Sequence, residues 1–298
     1  GIFTDKEESY VVTSFCTGGD LFNWCDGHPP PGREREKVMG PIVAQIFSAV
    51  RWLHEMGIAH RDISLENILL TKTSEIDRHV KVIDFGMATL NRVCRKELRG
   101  KQSYSAPEMH LDTEYDSFLV DEFAVGVVLF AMAAQDYPWT STKKGQCQLF
   151  EFVSVFGLQK FLVKRKARKG NQPLADLLSP KFTEVVLGLL AMKPRDRAVL
   201  GESFYTGAGS ARVNVWNLPW MEGQSVGQSQ SLQEEEIGRG EPARGSDAGS
   251  KPKKGALAAR LEARARATSS PPHPASLQRA PLAAHAVASQ RRDEDRLR

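Results

Sequence analysis

The spacing of apolar and polar positions divides the chain near residue 222. Before that point apolar clusters recur every few residues and predict mixed structure. SYVVTSF (9–15) is apolar and β-branched, which favours a strand. DLFNWCD (20–26) reads as a short helix. In VMGPIVAQIFSAVRWLHEMG (38–57) apolar residues return every three or four positions, as on one helix face, and Gly57 supplies a stop. NILLT and VKVIDF (80–85) are short strands around a turn. From Asp121 onward the pattern is helical, over 121–134, 146–156, 158–166 and 182–192. The longest apolar run, Ala124 to Ala134, is shorter than the roughly 20 residues that span a bilayer. It predicts a buried core helix, and no transmembrane segment is expected. No internal repeat is visible.

After residue 222 the pattern fails. Aromatic residues are absent beyond Trp220, and Gly, Ser, Ala, Arg and Pro dominate. Such a stretch buries too little apolar surface to offset its ordering entropy, so 223–298 is expected to be a disordered tail. Within it, ALAARLEARARAT (256–268) favours a transient helix. The tail's basic excess reads as a solvated tail, with nucleic acid or an anionic membrane as the functional alternatives.

Composition adds little beyond this. A chain of 298 residues with 41% hydrophobic and 26% charged residues has room for a sizeable core. A net charge of +4 is mild, so no acidic partner follows from it and no clear nucleic-acid partner is expected. The four cysteines, at 16, 25, 94 and 147, form no CxxC pair and no metal spacing. They read as reduced thiols, so a cytoplasmic protein is expected, with the nucleus as the alternative. The N-terminus, GIFTDKEESY, lacks a signal-peptide apolar stretch. Nothing in the pattern carries an oligomeric state.

The chemistry concentrates in HRDISLEN, His60 to Asn67, a loop between a helix and a strand. Asp62 can take a proton from a hydroxyl. Asn67, five positions on, can offer an amide oxygen to a hard cation. Asp84 of IDFG follows 17 residues later, at a strand end before Gly86. A base, an amide oxygen and a carboxylate form a sensible set for Mg²⁺-dependent phosphoryl transfer.

HRDxxxxN, then DFG, then Ala106-Pro107-Glu108, in that order, resembles the catalytic domain of eukaryotic protein kinases, of the Ser/Thr type. The likeness extends to FCTGGDLF (15–22), similar to the hinge between the two kinase lobes, to DEFAVG (121–126) and to PRDR (194–197), and covers roughly residues 1–205. The resemblance implies an α+β kinase-like fold over 1–222, mainly the helical C-terminal lobe. Residues 1–14 would be a remnant of the smaller lobe, 15–19 the hinge and 20–222 the larger lobe. It implies ATP and Mg²⁺ as cofactors and proteins as substrates.

The resemblance also implies roles. Asp62 would deprotonate the substrate hydroxyl, with Arg61 pairing to a phosphate on the activation segment and Ser64 close to the transferring group. Asn67 and Asp84 would hold Mg²⁺. Thr13 would be the gatekeeper, Ser14 and Cys16 would offer backbone groups to adenine, and Asp20 would face the ribose. Leu69 would floor the base, with Glu66 and Ile83 also lining the nucleotide site. His60 and Phe85 would stack, Gly86 would give the DFG turn its freedom, Glu108 would pair with Arg197, and Asp121 would fix the HRD backbone. Each residue has a plain structural alternative: turns or caps for Asp62 and Asp84, an N-cap for Asp121, strand positions for Thr13 and Cys16.

Three departures stand out. Ser64 occupies a position where the Ser/Thr pattern has Lys, and Lys101 stands where it has Thr, which suggests that Lys101 restores the missing charge from the opposite side. The chain starts inside what would be the fourth strand of the smaller lobe. The glycine-rich loop, its Lys and the partner helix Glu are therefore expected upstream of Gly1, and GAGS (207–210) is in the wrong context to replace that loop. On this expectation the chain as given would bind ATP poorly and expose apolar surface. The activation segment, 84–108, carries Arg92, Arg95, Lys96, Arg99 and Lys101 against Glu97, with Thr89, Ser103, Tyr104 and Ser105 as phosphate acceptors. Three function classes follow: an active Ser/Thr kinase, a pseudokinase scaffold, and a small-molecule phosphotransferase, which the APE and PRDR elements disfavour. Acidic Glu66 and Asp20 suggest a basic residue before the target hydroxyl.

Overall fold

The computed structural model describes residues 1–5, 8–27, 29–72, 78–168, 170–205 and 212–224, all within one compact unit. The tail from 225, the helix expected at 256–268, the GAGS stretch and the turn at 73–77 lie outside the described residues.

The first elements are β1 (Ile2–Thr4) and β2 (Ser9–Val11), an antiparallel ribbon with Phe3 opposite Tyr10. The strand expected over 9–15 is thus only three residues long, because Thr13 to Phe15 find no strand to pair with among the described residues. Both faces of the ribbon are exposed, with Ile2 at 74%, Val11 at 71% and nearby Phe15 at 85%, a row of apolar side chains lying in solvent. Residues 18–20 then run beside a later strand: Gly18 N donates to Leu70 O at 2.7 Å, and Leu70 N donates back to Gly19 O at 2.8 Å. A side-chain carbon at Gly18 would meet Leu70 O at 2.6 Å, so only glycine allows this approach.

α1 (Leu21–Asp26) starts at Asp20, whose carboxylate accepts from Asn23 N. α2 (Arg33–Glu55) begins five residues before the apolar spacing predicts. Glu34 and Glu36 favour its positive N-terminus, and burial of Arg35 and Glu36 anchors it. Arg35 donates to Pro29 O, Cys25 O and Met132 O, while Glu36 accepts from both the backbone N and the Oγ of Ser179. At its other end Gly57 turns the chain with φ +75, its N–H donating to His54 O.

β3 (Ile68–Lys72) and β4 (Arg78–Val82) form an antiparallel pair with Ile68 opposite Val82. Gln45 ties α2 to this pair, donating to Arg78 O and accepting from Val80 N. β5 (Val93–Arg95) pairs with β6 (Glu114–Asp116), and neither is announced by apolar alternation.

The centre is α3 (Ser117–Ala134), with all 18 residues buried. By length and composition it is the one helix among the described residues apolar enough to cross a membrane; here it is wrapped by the rest of the fold. It starts four residues earlier than expected because Asp116, not Asp121, caps it, accepting from Phe118 N. Asp121 therefore projects from inside the helix. Around α3 lie α4 (Gln148–Phe156), α5 (Leu158–Lys164), the short α6 (Leu174–Leu177) and α7 (Pro180–Leu189), the last capped by Ser179.

α3 and α7 meet at Gly126, where an added Cβ would stand 2.8 Å from Leu190 Cδ2 and 2.9 Å from Leu189 Cβ. We expect Gly126→Ala to lower stability by about 1–3 kcal/mol through overpacking, despite alanine's better helix propensity. Urea unfolding measures this, and an equally stable variant would show that the α3–α7 contact is looser than described.

Candidate active site

The 60–67 loop is held from below by one carboxylate. Asp121 Oδ1 accepts from Arg61 N and Oδ2 from His60 N, both at 2.7 Å. These bonds hold Arg61 in a left-handed conformation, φ +62, which costs a non-glycine residue on the order of 1–3 kcal/mol. His54 lies beneath, with Nε2 3.2 Å from Asp121 and Nδ1 2.7 Å from Glu202. Burial opposes its charge, but hydrogen bonds to Asp121 and Glu202 win and raise its pKa to about 9. The fully buried Glu122 carboxyl faces Glu202. Burial first, then that neighbour's charge, hold its pKa well above the carboxylate range, which favours the protonated form.

His54, Glu122 and Glu202 place their ligand atoms within 4.8 Å of one another. The 2.7 Å contact between His54 and Glu202 is tighter than the roughly 3.3 Å between two ligands of a tetrahedral zinc ion. Shared protons, rather than a metal ion, fit this spacing.

On the upper side, Asn67 Nδ2 donates to Asp62 O at 2.9 Å and to Asp62 Oδ2 at 2.8 Å, which fixes the carboxylate and leaves the Asn67 amide oxygen for another partner. Asp62 Oδ1 is buried and has no hydrogen-bond donor. Ile83 N donates to Asn67 O at 3.0 Å and Ile83 O faces His60 Nε2 at 3.0 Å, so the strand carrying Asp84 is stitched to the loop. Asp84 has φ +65 and accepts from Gly86 N. The rings of His60 and Phe85 stand 4.9 Å apart. Asn67 and Asp84 thus offer hard oxygen donors from adjoining strand ends, a set that suits Mg²⁺.

Arg61 reaches into the 84–108 segment. Its Nε donates to Met87 O and its Nη1 meets Glu97 at 2.7 Å. The position expected to meet a phosphate is taken here by a carboxylate of the chain itself. Gly100, φ +77, packs so closely that a side chain there would meet Arg61 O at 2.7 Å. Lys101 Nζ donates to Ser64 Oγ at 2.8 Å and pairs with Glu66 at 3.0 Å. Tyr104 and Ser105, counted as phosphate acceptors from the sequence, are only 4% and 3% exposed. The Tyr104 hydroxyl instead accepts from Leu65 N and meets the Tyr137 hydroxyl. Arg197, fully buried, holds both Glu108 oxygens at 2.6 and 3.0 Å and also donates to Leu119 O and Ala191 O.

The residues expected around a nucleotide are more scattered. Thr13 and Ser14 lie in exposed chain, and Cys16 is half-buried. Asp20 is engaged as the α1 cap and pairs through its backbone with Leu69. Leu69, Glu66 and Ile83 are half-buried. Three residues that matter to the site carry no motif in the sequence, His54, Glu122 and Glu202, and Tyr104, read there as a phosphate acceptor, is a buried hydrogen-bond partner of Leu65 N and Tyr137 instead. A charged residue inside an otherwise apolar helix, as Glu122 is, was the available signal.

A family model described as the protein kinase domain matches residues 1–204. The chain is 36% identical over 139 residues to serine/threonine-protein kinase kin-29 of Caenorhabditis elegans, covering 44% of this chain and 16% of that protein. It is 26% identical over 242 residues to serine/threonine-protein kinase RAD53 of Saccharomyces cerevisiae, covering 76% and 26%. It is 29% identical over 223 residues to serine/threonine-protein kinase cds1 of Schizosaccharomyces pombe, covering 69% and 43%. The aligned part of this chain thus spans less than half the length of each of these relatives.

Two outcomes follow from the geometry. His54 carries a folded pKa of about 9 against 6.5 for the free side chain, so its stabilisation, on the order of 3 kcal/mol, is complete below pH 6.5 and lost as pH rises through 9. Glu122 acts in the same direction, since the folded chain holds its proton more tightly than the unfolded chain does. The melting temperature should fall from pH 6 to pH 9, and Glu122→Gln should flatten the slope; a rise toward pH 9 contradicts the assignment. Separately, Glu97→Ala should free the 84–108 segment, so trypsin cuts at Arg95, Lys96 or Arg99 several-fold faster. Unchanged cleavage would mean that the Arg61–Glu97 pair does not hold it.

Proposed function

The chain belongs to the protein kinase domain family, and on that premise we propose that the protein transfers the γ-phosphate of ATP to serine and threonine hydroxyls of protein substrates. The observation that carries this reading is the Asp62 carboxylate, fixed through Oδ2 by Asn67 and left with a buried oxygen that has no donor. An unpaired buried acceptor costs stability, so one kept at this position calls for a task. Here the task is to accept the proton of the incoming hydroxyl as its oxygen bonds to phosphorus and ADP departs. Asn67 and Asp84 are the residues that would hold Mg²⁺, which supplies charge neutralisation for the phosphates. Asp121, through two backbone bonds, keeps the loop in the shape that presents Asp62.

The nucleotide roles of Thr13, Ser14, Cys16, Asp20, Glu66, Leu69 and Ile83 belong to the same proposal, as does a preference for a basic residue before the target hydroxyl. The four free cysteines, three of them buried, support a reducing compartment, cytoplasmic or nuclear. A scaffold without phosphotransfer draws its support from Ser64. The Lys101–Ser64 contact weakens that support, because a cation still stands beside the loop.

Asp62→Ala should lower phosphate transfer from radiolabelled ATP to a Ser/Thr peptide library by roughly 10²–10⁴-fold, with its melting temperature unchanged. Full-length protein is the sample. Absence of transfer by the wild type, or equal transfer by the variant, overturns the proposal.

A further inference from the structure

We infer that Lys101 supplies the positive charge that stabilises the transferring phosphate, and that the activation segment, rather than the loop bearing Asp62, delivers it. This rests on the kinase reading above and goes beyond it in naming the cation and what brings it. The 60–67 loop has no cation to spare. Arg61 is committed to Met87 O and Glu97 with its side chain only 8% exposed, and His60 to Ile83 O. Ser64, fully buried, carries no charge. Lys101 reaches this loop from the facing segment, 2.8 Å from Ser64 Oγ and 3.0 Å from Glu66, with its side chain still 40% exposed. Ser64 and Glu66 act as positioning residues that aim the ammonium. Arg99, the other nearby cation of the segment, is exposed and lies close enough to Glu97 to lower that carboxyl's pKa.

The preceding residue ties Lys101 to the base. An added carbon at Gly100 would sit 3.2 Å from Asp62 Oδ1 and 2.7 Å from Arg61 O, so the backbone before Lys101 rests against the reacting carboxylate. A fixed charge so placed acts on developing phosphate charge without reorganising at the moment of transfer. In that step the γ-phosphorus–oxygen bond to ADP breaks, the bond to the substrate oxygen forms and the substrate proton passes to Asp62. Lys101 neither gains nor loses a proton. Because the charge travels with the segment, turnover is coupled to segment docking, which Gly100 and the Arg61–Glu97 pair secure.

The test compares wild type, Lys101→Met, Lys101→Arg and Ser64→Lys/Lys101→Met in full-length protein, reading kcat and the KM for ATP separately. Lys101→Met should lose at least about tenfold in kcat, up to the roughly 10²–10³-fold typical of one lost preorganised donor, with KM nearly unchanged. Lys101→Arg should retain most of kcat, and Ser64→Lys should restore turnover in the Lys101→Met background by returning the charge from the loop side. Wild-type turnover with an unimpaired Lys101→Met overturns this inference alone. Equal losses in the Met and Arg variants, without rescue, also overturn it. No turnover by the wild type overturns the kinase reading and this inference with it.

Discussion

The carboxylate of Asp121 is the contact on which the rest of the site depends. It projects from the buried helix at the centre of the fold and takes two backbone N–H groups of the loop that carries Asp62. Those two bonds hold Arg61 at positive φ, a conformation that a bulky residue does not adopt unaided. Arg61 can then point toward Glu97 while Asp62 points toward Asn67. A shift in Asp121 would misplace both directions of the loop together. Its own position is secured by the protonated His54, itself pinned to Glu202. The geometry of the site therefore rests on protons kept far from solvent.

The same logic of opposite charges recurs across the molecule at different depths. The Glu108–Arg197 pair is buried, and its arginine also satisfies two backbone carbonyls. Removing one partner of such a pair leaves an uncompensated charge, typically worth about 3–5 kcal/mol. Arg35 is equally deep, and three backbone carbonyls receive it while Trp24 lies beneath its guanidinium. The Arg61–Glu97 and Lys101–Glu66 pairs are shallower, where solvent screens them. Deep pairs hold the framework, and shallow pairs hold the segment that covers the site. That gradient allows the segment to be repositioned without unfolding the lobe beneath it.

Much of the architecture was legible from the chain. The helix at 38–57, the strands before and after the turn near 75 and the helices after 146 follow from apolar spacing, while the helix at 121–134 follows from an unbroken apolar run that is buried on every side. Asp62, Asn67 and Asp84 could be put forward from the chain because phosphoryl transfer restricts residue types at fixed intervals along two short motifs. The errors lie where local pattern is silent. α2 extends back to Arg33 because Arg35 and Glu36 find buried partners, Glu36 as far away as Ser179. β5 and β6 exist only through each other. α3 begins at Ser117 because Asp116 caps it, which changes Asp121 from a possible cap into an interior anchor.

What the sequence by itself determined is therefore the periodic core and the family, and it offered the groups proposed to react, all properties of short stretches of chain. What only the tertiary structure decided is which charges meet. Residues 54, 121 and 202 are separated by up to 148 positions, yet meet through hydrogen bonds in one buried cluster, with Glu122 beside them. Lys101 and Ser64 lie 37 positions apart and touch. Glu97, one acidic residue in a basic run, takes the arginine of the loop. Such partnerships depend on folding distant segments into the same low-dielectric space, where an unpaired charge is costly and a paired one is held.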